Sequence, residues 1–389
     1  MILAATSYWE VIPYCLLPLI GMALAAFIFN TSEFMPIGLL TSIASAFSIS
    51  ESTAGIMITV YSWSVMILSL PLMISISKYS FRPVLLITLS VFALGQILSG
   101  IATSFVLLVL ARIVVASAHA VFWSIASVIA VKLVDEEHRD FAMSMIVTGS
   151  SIAMIFGLPL GRVVGLYVGW RATFILVGIV ALALLVFQLV VFPKLDKPEP
   201  FKINQLPSLF KNKNLLLIYI ISFLFATGYY TAYSYIEPFM QDIAHISSTW
   251  ITLALSLFGV AGIVGSLLFS KFYSKNRIAF LRIFTSNIAI VLFLLKPSSI
   301  TLITLLIVCA CWGCTSTAFN VAAQSEIILH GKESSSVAMS IFSGIFNLGI
   351  GLGSFIGGQT VNIIGIQYIG IVGAMIGCIG GVICYLSKK

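Results

Sequence analysis

The chain is a succession of apolar stretches, most of them long enough to cross a bilayer, with its basic residues gathered in every second gap between them. One set of gaps holds Lys78 and Arg82; Lys132 and Arg139; Lys194, Lys197, Lys202, Lys211 and Lys213; Lys271, Lys275, Arg277 and Arg282; Lys332; and Lys388 and Lys389. The intervening gaps hold Arg162, Arg171 and Lys296, and Arg112 lies inside an apolar run. Basic loops are retained in the cytoplasm, so both termini are expected there. With 60% hydrophobic and 8% charged residues, and a mean hydropathy of +1.13, no water-soluble fold could hide the apolar surface. A spanning helix takes about 20 residues, so twelve of them use about 240 and leave only short connections.

A net charge of +7 raises the question of nucleic acid. The cations are dispersed among loops rather than set on one face, which fits topology and anionic lipid headgroups and not a nucleic-acid partner. Cys15, Cys309, Cys311, Cys314, Cys378 and Cys384 all fall inside predicted spans and read as small apolar packing residues, not as a disulfide framework. The first dozen residues lack a basic n-region and a small-residue cleavage site, so no cleaved signal peptide is expected and the first span serves as its own insertion signal.

The apolar runs predict helices near 13–40, 52–77, 82–103, 105–132, 140–165, 170–193, 213–241, 248–271, 277–296, 300–328, 334–360 and 364–387. Between the sixth and seventh, Pro193 to Lys213 carries four prolines, five lysines and two acids, a cytoplasmic linker by composition. That divides the chain into a bundle at 1–192, a linker at 193–213 and a second bundle at 214–389. An internal repeat supports the division. Ala142, Met143 and Ser144 return as Ala338, Met339 and Ser340, and at the same offset Gly157 and Gly161 return as Gly353 and Gly357. The basic turn at Lys78 to Arg82 has a counterpart at Lys271 to Arg277. The expected fold is an all-α membrane protein of twelve transmembrane helices in two pseudo-symmetric six-helix bundles.

An enzyme needs a recognisable constellation. No metal pair, nucleophile elbow or phosphate loop stands in the sequence, and His119, His138, His245 and His330 are isolated from one another. The chain is therefore read as a non-enzyme with no catalytic residues, metal or cofactor. What remains is a small set of polar groups within the bilayer. Glu33, near the end of helix 1, and Arg112, near the start of helix 4, lie at matched depth, about 10 Å below one membrane surface at about 1.5 Å per residue. A charge there costs at least about 2.5–3.5 kcal/mol unless it faces a partner or water. Burial favours a neutral carboxyl group and a nearby arginine favours a charged one, so a site balanced between them can exchange protons. Glu33 is read as the protonation site with Arg112 competing for its charged form; the plainer reading is a permanent ion pair locking two helices. Arg112, Ala116, His119 and Trp123 share one stripe of helix 4, and Asn30 and Glu33 share a face of helix 1. His119 is either a proton relay or a hydrogen-bonded packing residue.

In helix 7, TGYYTAYSYIEPF at 227–239 sets Tyr230, Tyr233, Ser234 and Glu237 on one face. Rings with hydroxyl and carboxylate neighbours suit a sugar, and equally suit an interfacial aromatic belt; Glu237 is assigned to the outer mouth. Trp312, Asn320 and Gln324 on helix 10 and Asn347 on helix 11 offer further polar lining. Gly157, Gly161 and Gly165 in helix 5, and Gly349, Gly353 and Gly357 in helix 11, recur every four residues and permit close helix approach, with Pro159 adding a weak point. These helices are read as a moving interface between halves, or as plain packing.

At AAFIFNTSEFMPIGLL (25–40), ARIVVASAHAVFWSI (111–125), GLPLGRVVG (157–165), GWRATF (169–174), YTAYSYIEPF (230–239) and FSGIFNLGIG (342–351), the chain resembles the drug/proton antiporter branch of the major facilitator superfamily, and within it the bacterial sugar efflux transporters. The resemblance runs over nearly the whole length. It implies a twelve-helix alternating-access exporter of arabinose- or thiogalactoside-like sugars in the bacterial inner membrane, working as a monomer and driven by inward proton flow, with helices 1, 4, 7 and 10 lining the cavity. Arg112 is similar to the helix 4 arginine of antiporters, and Gly157 with Pro159 to their helix 5 glycine-proline signature. Two departures stand out. The loop ISISKYSFRP at 74–83 keeps only Lys78 and Arg82 of the family's charges, and Ala116 replaces the glycine expected after the arginine. Export of hydrophobic drugs and sugar uptake by proton symport are the rival functions, the scaffold permitting either direction.

Overall fold

The computed structural model describes residues 3–76, 78–195, 211–331 and 335–387, and their side chains except at 3–15, 140, 335 and 336. Twelve long helices account for it. Helix α1 (Leu3–Phe34) runs on through a 3-10 turn (Met35–Leu39) into a short segment (Leu40–Ala46), and α2 (Glu51–Ile76), α3 (Phe81–Ile101) and α4 (Phe105–Lys132) follow. Helix α5 comes in three pieces, Arg139–Ile152, a π turn at Ala153–Gly157, and Leu158–Tyr167. After α6 (Trp170–Val191), α7 (Lys213–Tyr233) breaks before a short segment at Ile236–Asp242. Then come α8 (Ser248–Phe272), α9 (Arg277–Ser298), α10 (Leu302–Gly331), α11 (Ser335–Ile363) and α12 (Ile369–Leu386). Eleven of the described helices are long and apolar enough to cross a membrane. Helix α9 is 22 residues long, roughly 33 Å at about 1.5 Å per residue, and is the twelfth. No strand occurs among the described residues.

Helix ends are set by hydrogen bonding and propensity, hydropathy only by burial in lipid, and the two part at the termini of several spans. Helix α1 begins at Leu3, well before the apolar run that suggested residue 13, and its helical course extends past 40 to Ala46. Prolines account for breaks the hydropathy pattern passed over. Pro159 has no N–H for the Ile155 carbonyl and its ring crowds that oxygen; the turn just before it widens into the π geometry of Ala153–Gly157. In α11 the position 196 residues on is Phe355, and that helix runs unbroken. The linker expected at 193–213 lies outside the described residues at 196–210, as do Lys197, Lys202, Lys332, Lys388, Lys389 and the side chain of Cys15.

The repeat read from a few residues recurs in many element boundaries. Shifted by 196, Phe81 becomes Arg277, Ile76 becomes Phe272, Arg139–Tyr167 becomes Ser335–Ile363, and the segment Leu40–Ala46 becomes Ile236–Asp242. Even the turns repeat: Gly169 before α6 has φ +107° and Gly365 before α12 has φ +101°, left-handed backbone that strains any residue with a Cβ.

The described residues form two compact units. Unit 1 comprises Met1–Phe34, Leu68–Gly157 and Val164–Phe201; unit 2 comprises Met35–Ile67, Leu158–Val163 and Lys202–Lys389. Their boundaries fall at Phe34, where α1 breaks, and at Gly157, where the π turn ends. In unit 1, α3 packs on α4 and α6, and α1 on α5 and α6. In unit 2, α9 packs on α10 and α12, and α7 on α11 and α12. Small residues make these approaches possible: a Cβ on Gly228 of α7 would stand 2.8 Å from the Gly373 carbonyl of α12.

Candidate functional site

The chemistry in unit 1 gathers where α1 stops being an α-helix. Pro36 has no N–H, so the Ser32 carbonyl lacks its α-helical donor. Arg112 supplies one. Its Nη2 donates to the Ser32 carbonyl at 3.0 Å and its Nη1 to Ser32 Oγ at 3.0 Å. Gln96 of α3 reaches the same Oγ through Nε2, and all three side chains are buried. The next residue, Glu33, turns to α4, where His119 Nε2 lies 3.7 Å from its Oε2. Arg112 is the nearby charge for both Glu33 and His119. The structure sets the Glu33 carboxyl beside the His119 imidazole and gives Arg112 main-chain and hydroxyl acceptors on Ser32. Around them Phe29 stacks on Phe122 (4.3 Å) and lies tilted against Phe92 (4.0 Å), and Trp123 stands 6.2 Å from His119. Asn30 is buried on the same helix.

In unit 2 the helix 7 motif divides in two. The break after Tyr233 separates the tyrosines from Glu237, so the four residues expected on one face do not share it. Tyr230 and Tyr233 join Tyr229, Phe258 and Trp312 in a buried aromatic cluster, with Trp312 5.4 Å from Tyr229, 5.9 Å from Tyr233 and 5.2 Å from Phe258. Ser316 Oγ donates to the Gly313 carbonyl at 3.1 Å. Trp312 Nε1 is buried without an acceptor among the described residues. Asn320 accepts from Gln324 of its own helix. Asn347 donates to the Ser343 carbonyl at 3.0 Å and has its Oδ1 buried without a donor among the described residues.

Glu237 serves a different arrangement. Its Oε1 accepts from Arg162 Nη1 at 2.8 Å, and its Oε2 from Thr41 N at 3.1 Å and Thr41 Oγ1 at 2.7 Å. The Thr41 N–H belongs to the first turn of Leu40–Ala46 and has no acceptor within that segment, so the carboxylate caps it. Arg162 also donates to the Gly38 carbonyl in the 3-10 turn. Both charged side chains are nearly inaccessible, 2% and 3% exposed. Beside this latch, Ser52 Oγ bonds Asn362 Oδ1 at 2.5 Å and Tyr235 donates to the Ser354 carbonyl at 3.1 Å.

The glycines sort by partner. Gly349, Gly353 and Gly357 face the α7 backbone, at the carbonyls of Phe223, Thr227 and Thr231 respectively, and Gly351 and Gly358 face Trp63 and Tyr235. Gly157 faces Thr31 of α1. Thr31 and Gly157, shifted by 196, are Thr227 and Gly353: one packing contact made twice. Gly157 therefore packs against α1 and the Gly349, Gly353 and Gly357 stripe against α7, and the contacts of α11 with α2 use other glycines. Gly161 and Pro159 flank the latch through Leu158–Val163.

Sequence reasoning missed Arg162, Gln96, Ser32 and Thr41, and also Glu326 of α10. Glu326 accepts both arms of Arg277 at 2.8 Å and the Tyr273 hydroxyl at 2.5 Å, with His330 Nε2 at 3.2 Å. The 196-residue offset was the signal for Thr41, since it is the counterpart of Glu237.

Two repeated six-helix sets whose buried ionisable groups sit at breaks in membrane-spanning helices define a membrane transporter. Residues 22–337 match the Major Facilitator Superfamily, and the chain belongs to that family. Among solved structures it is similar to a bacterial homolog of the human lysosomal transporter Spinster. The inward-facing, unoccupied form has 14% identity over 96% of this chain and 97% of that one, with a TM-score of 0.76. The inward-facing, occupied form has the same identity and coverage and a TM-score of 0.78.

Proposed function

We propose that the protein exports sugars or sugar analogues of the arabinose or thiogalactoside kind across the bacterial inner membrane by proton antiport, in the manner of the sugar efflux transporter SotB. The observation that carries the coupling is the buried group of Glu33, His119 and Arg112: a carboxylate facing an imidazole, with a guanidinium already held by Ser32, gains or loses a proton by exchanging partners. In this reading both termini are cytoplasmic, 1–192 and 214–389 are the two functional halves and the monomer is the working form. Asn30, Trp123, Tyr230, Tyr233, Trp312, Asn320 and Asn347 contact substrate, and Gly157, Pro159, Gly161, Gly353 and Gly357 allow the helices to rearrange. Glu237 takes its part through the latch with Arg162. A second reading, export of hydrophobic drugs, is favoured by the five-ring cluster around Trp312, which offers more apolar surface than a sugar needs.

The deciding experiment uses proteoliposomes and a labelled thiogalactoside. Glu33→Gln is expected to abolish transport driven by a pH gradient while leaving substrate counterflow intact; full gradient-driven transport in that variant would remove Glu33 from the mechanism. Transport of a lipophilic cation in place of the thiogalactoside by the unaltered protein would favour the second reading.

A further inference from the structure

Arg112 spends two donors on Ser32, the residue before Glu33 on α1. The reason is local. An α-helical carbonyl accepts from the N–H four residues on, and the residue four on from Ser32 is Pro36. A buried carbonyl left without that donor costs free energy until another arrives, and the guanidinium is the strongest donor nearby. Arg112 and Ser32 are both almost fully buried, at 1% and 0% exposed, so water is no competitor for either.

The chain carries its own control. Shifted by 196, Ser32, Pro36 and Arg112 become Gly228, Ala232 and Val308. Where the proline is absent the arginine is absent too. Helix α7 runs through Ala232 to Tyr233, whereas α1 ends at Phe34, ahead of its proline. Many other helix boundaries repeat at the same offset, whereas the proline and the arginine occur together in the first half alone.

We infer that Pro36 is a positioning residue for Arg112: by withholding a backbone N–H it keeps the Ser32 carbonyl open to the guanidinium and so fixes where Arg112 stands beside Glu33. Gln96 steadies the same hydroxyl from α3. The inference rests on the proton-coupling reading for its consequence, though not for its geometry.

The test separates the missing N–H from the ring. Three proteins are compared in lipid nanodiscs: the unaltered chain, Pro36→Ala, which restores an N–H, and a chain carrying the α-hydroxy acid analogue of alanine at position 36, whose backbone ester has no N–H. The first readout is the nitrogen-15 spectrum of labelled arginine, the Arg112 guanidinium signal being the one lost in Arg112→Lys. The second is an infrared pH titration of the carboxyl band that Glu33→Gln removes. Pro36→Ala should shift the Arg112 signal and displace the Glu33 midpoint by about half a pH unit, roughly threefold in the protonation equilibrium. The ester should restore both. An unmoved Arg112 signal in Pro36→Ala overturns the inference, and so does an equal shift in the ester, which would assign the effect to the ring. A shifted and rescued Arg112 signal with no Glu33 band in any protein upholds the positioning while removing the coupling reading.

Discussion

The latch of Arg162, Glu237 and Thr41 offers the sharpest energetic test, because its parts can be removed singly or together. Glu237 accepts from three donors and Arg162 donates to two acceptors, with neither side chain reaching solvent. Removing one partner of such a pair strands the other as an unpaired buried charge, at a cost of about 3–5 kcal/mol; replacing both by apolar groups of similar size is often close to neutral. Arg162→Met and Glu237→Leu are therefore each expected to destabilise unit 2 strongly, and the two together much less than either. At roughly 2–4 °C per kcal/mol for a domain of about two hundred residues, each single change should lower the unfolding midpoint by roughly 6–20 °C. Scanning fluorimetry of the purified protein in one detergent reads this directly, and the double change should recover most of the loss. Single variants within about 2 °C of the unaltered protein, with an additive double variant, would show that the two charges are solvated rather than paired, and the reasoning would fail.

Gly353→Ala places a Cβ against the Thr227 carbonyl, 3.0 Å from the Thr231 nitrogen and 3.1 Å from Tyr230 Cβ; backbone cannot yield, so a loss of about 1–3 kcal/mol is expected. Gly344→Ala in the same helix meets nothing within 4 Å and should gain up to about 1 kcal/mol from helix propensity; equal midpoints for the two variants in a thermal melt would contradict the packing assigned to α11. Arg277→Lys keeps the charge but loses the two-armed contact with Glu326. Because Arg277 is 40% exposed, solvent screening limits the cost to about 1 kcal/mol, and a melt in high salt should narrow the gap between variant and parent; a gap that widens with salt would refute the assignment.

Much of the architecture can be read from the chain because lipid imposes it. Helix number and the boundaries of α2 to α4, α8 and α9 follow from apolar length, and the recurring Ala-Met-Ser and glycine pattern marks the 196-residue repeat. The interior polar contacts follow from something else. Arg162 sits near the end of an apolar run and is counted there as a loop charge, yet it is 1% exposed; its partner Glu237 lies 75 residues away, and nothing local to either predicts the other. Hydropathy also passes over Pro36 and Pro159, since a proline alters which backbone groups need partners without changing how apolar the segment is.

A comparison of the halves supplies what hydropathy cannot. Where they agree, as at Gly169 and Gly365 or at Thr31–Gly157 and Thr227–Gly353, the shared residue meets a steric demand that any copy of the fold must satisfy. Among the places where they differ are Pro36 for Ala232, Arg112 for Val308, Arg162 for Gly358 and Thr41 for Glu237. Each of these puts a charge, or the acceptor or donor for one, inside the bilayer, where it raises the free energy unless a specific partner meets it. Scaffold and chemistry are thus written in different parts of the repeat: packing demands hold its two copies alike, and the buried charges stand where one copy has left the other.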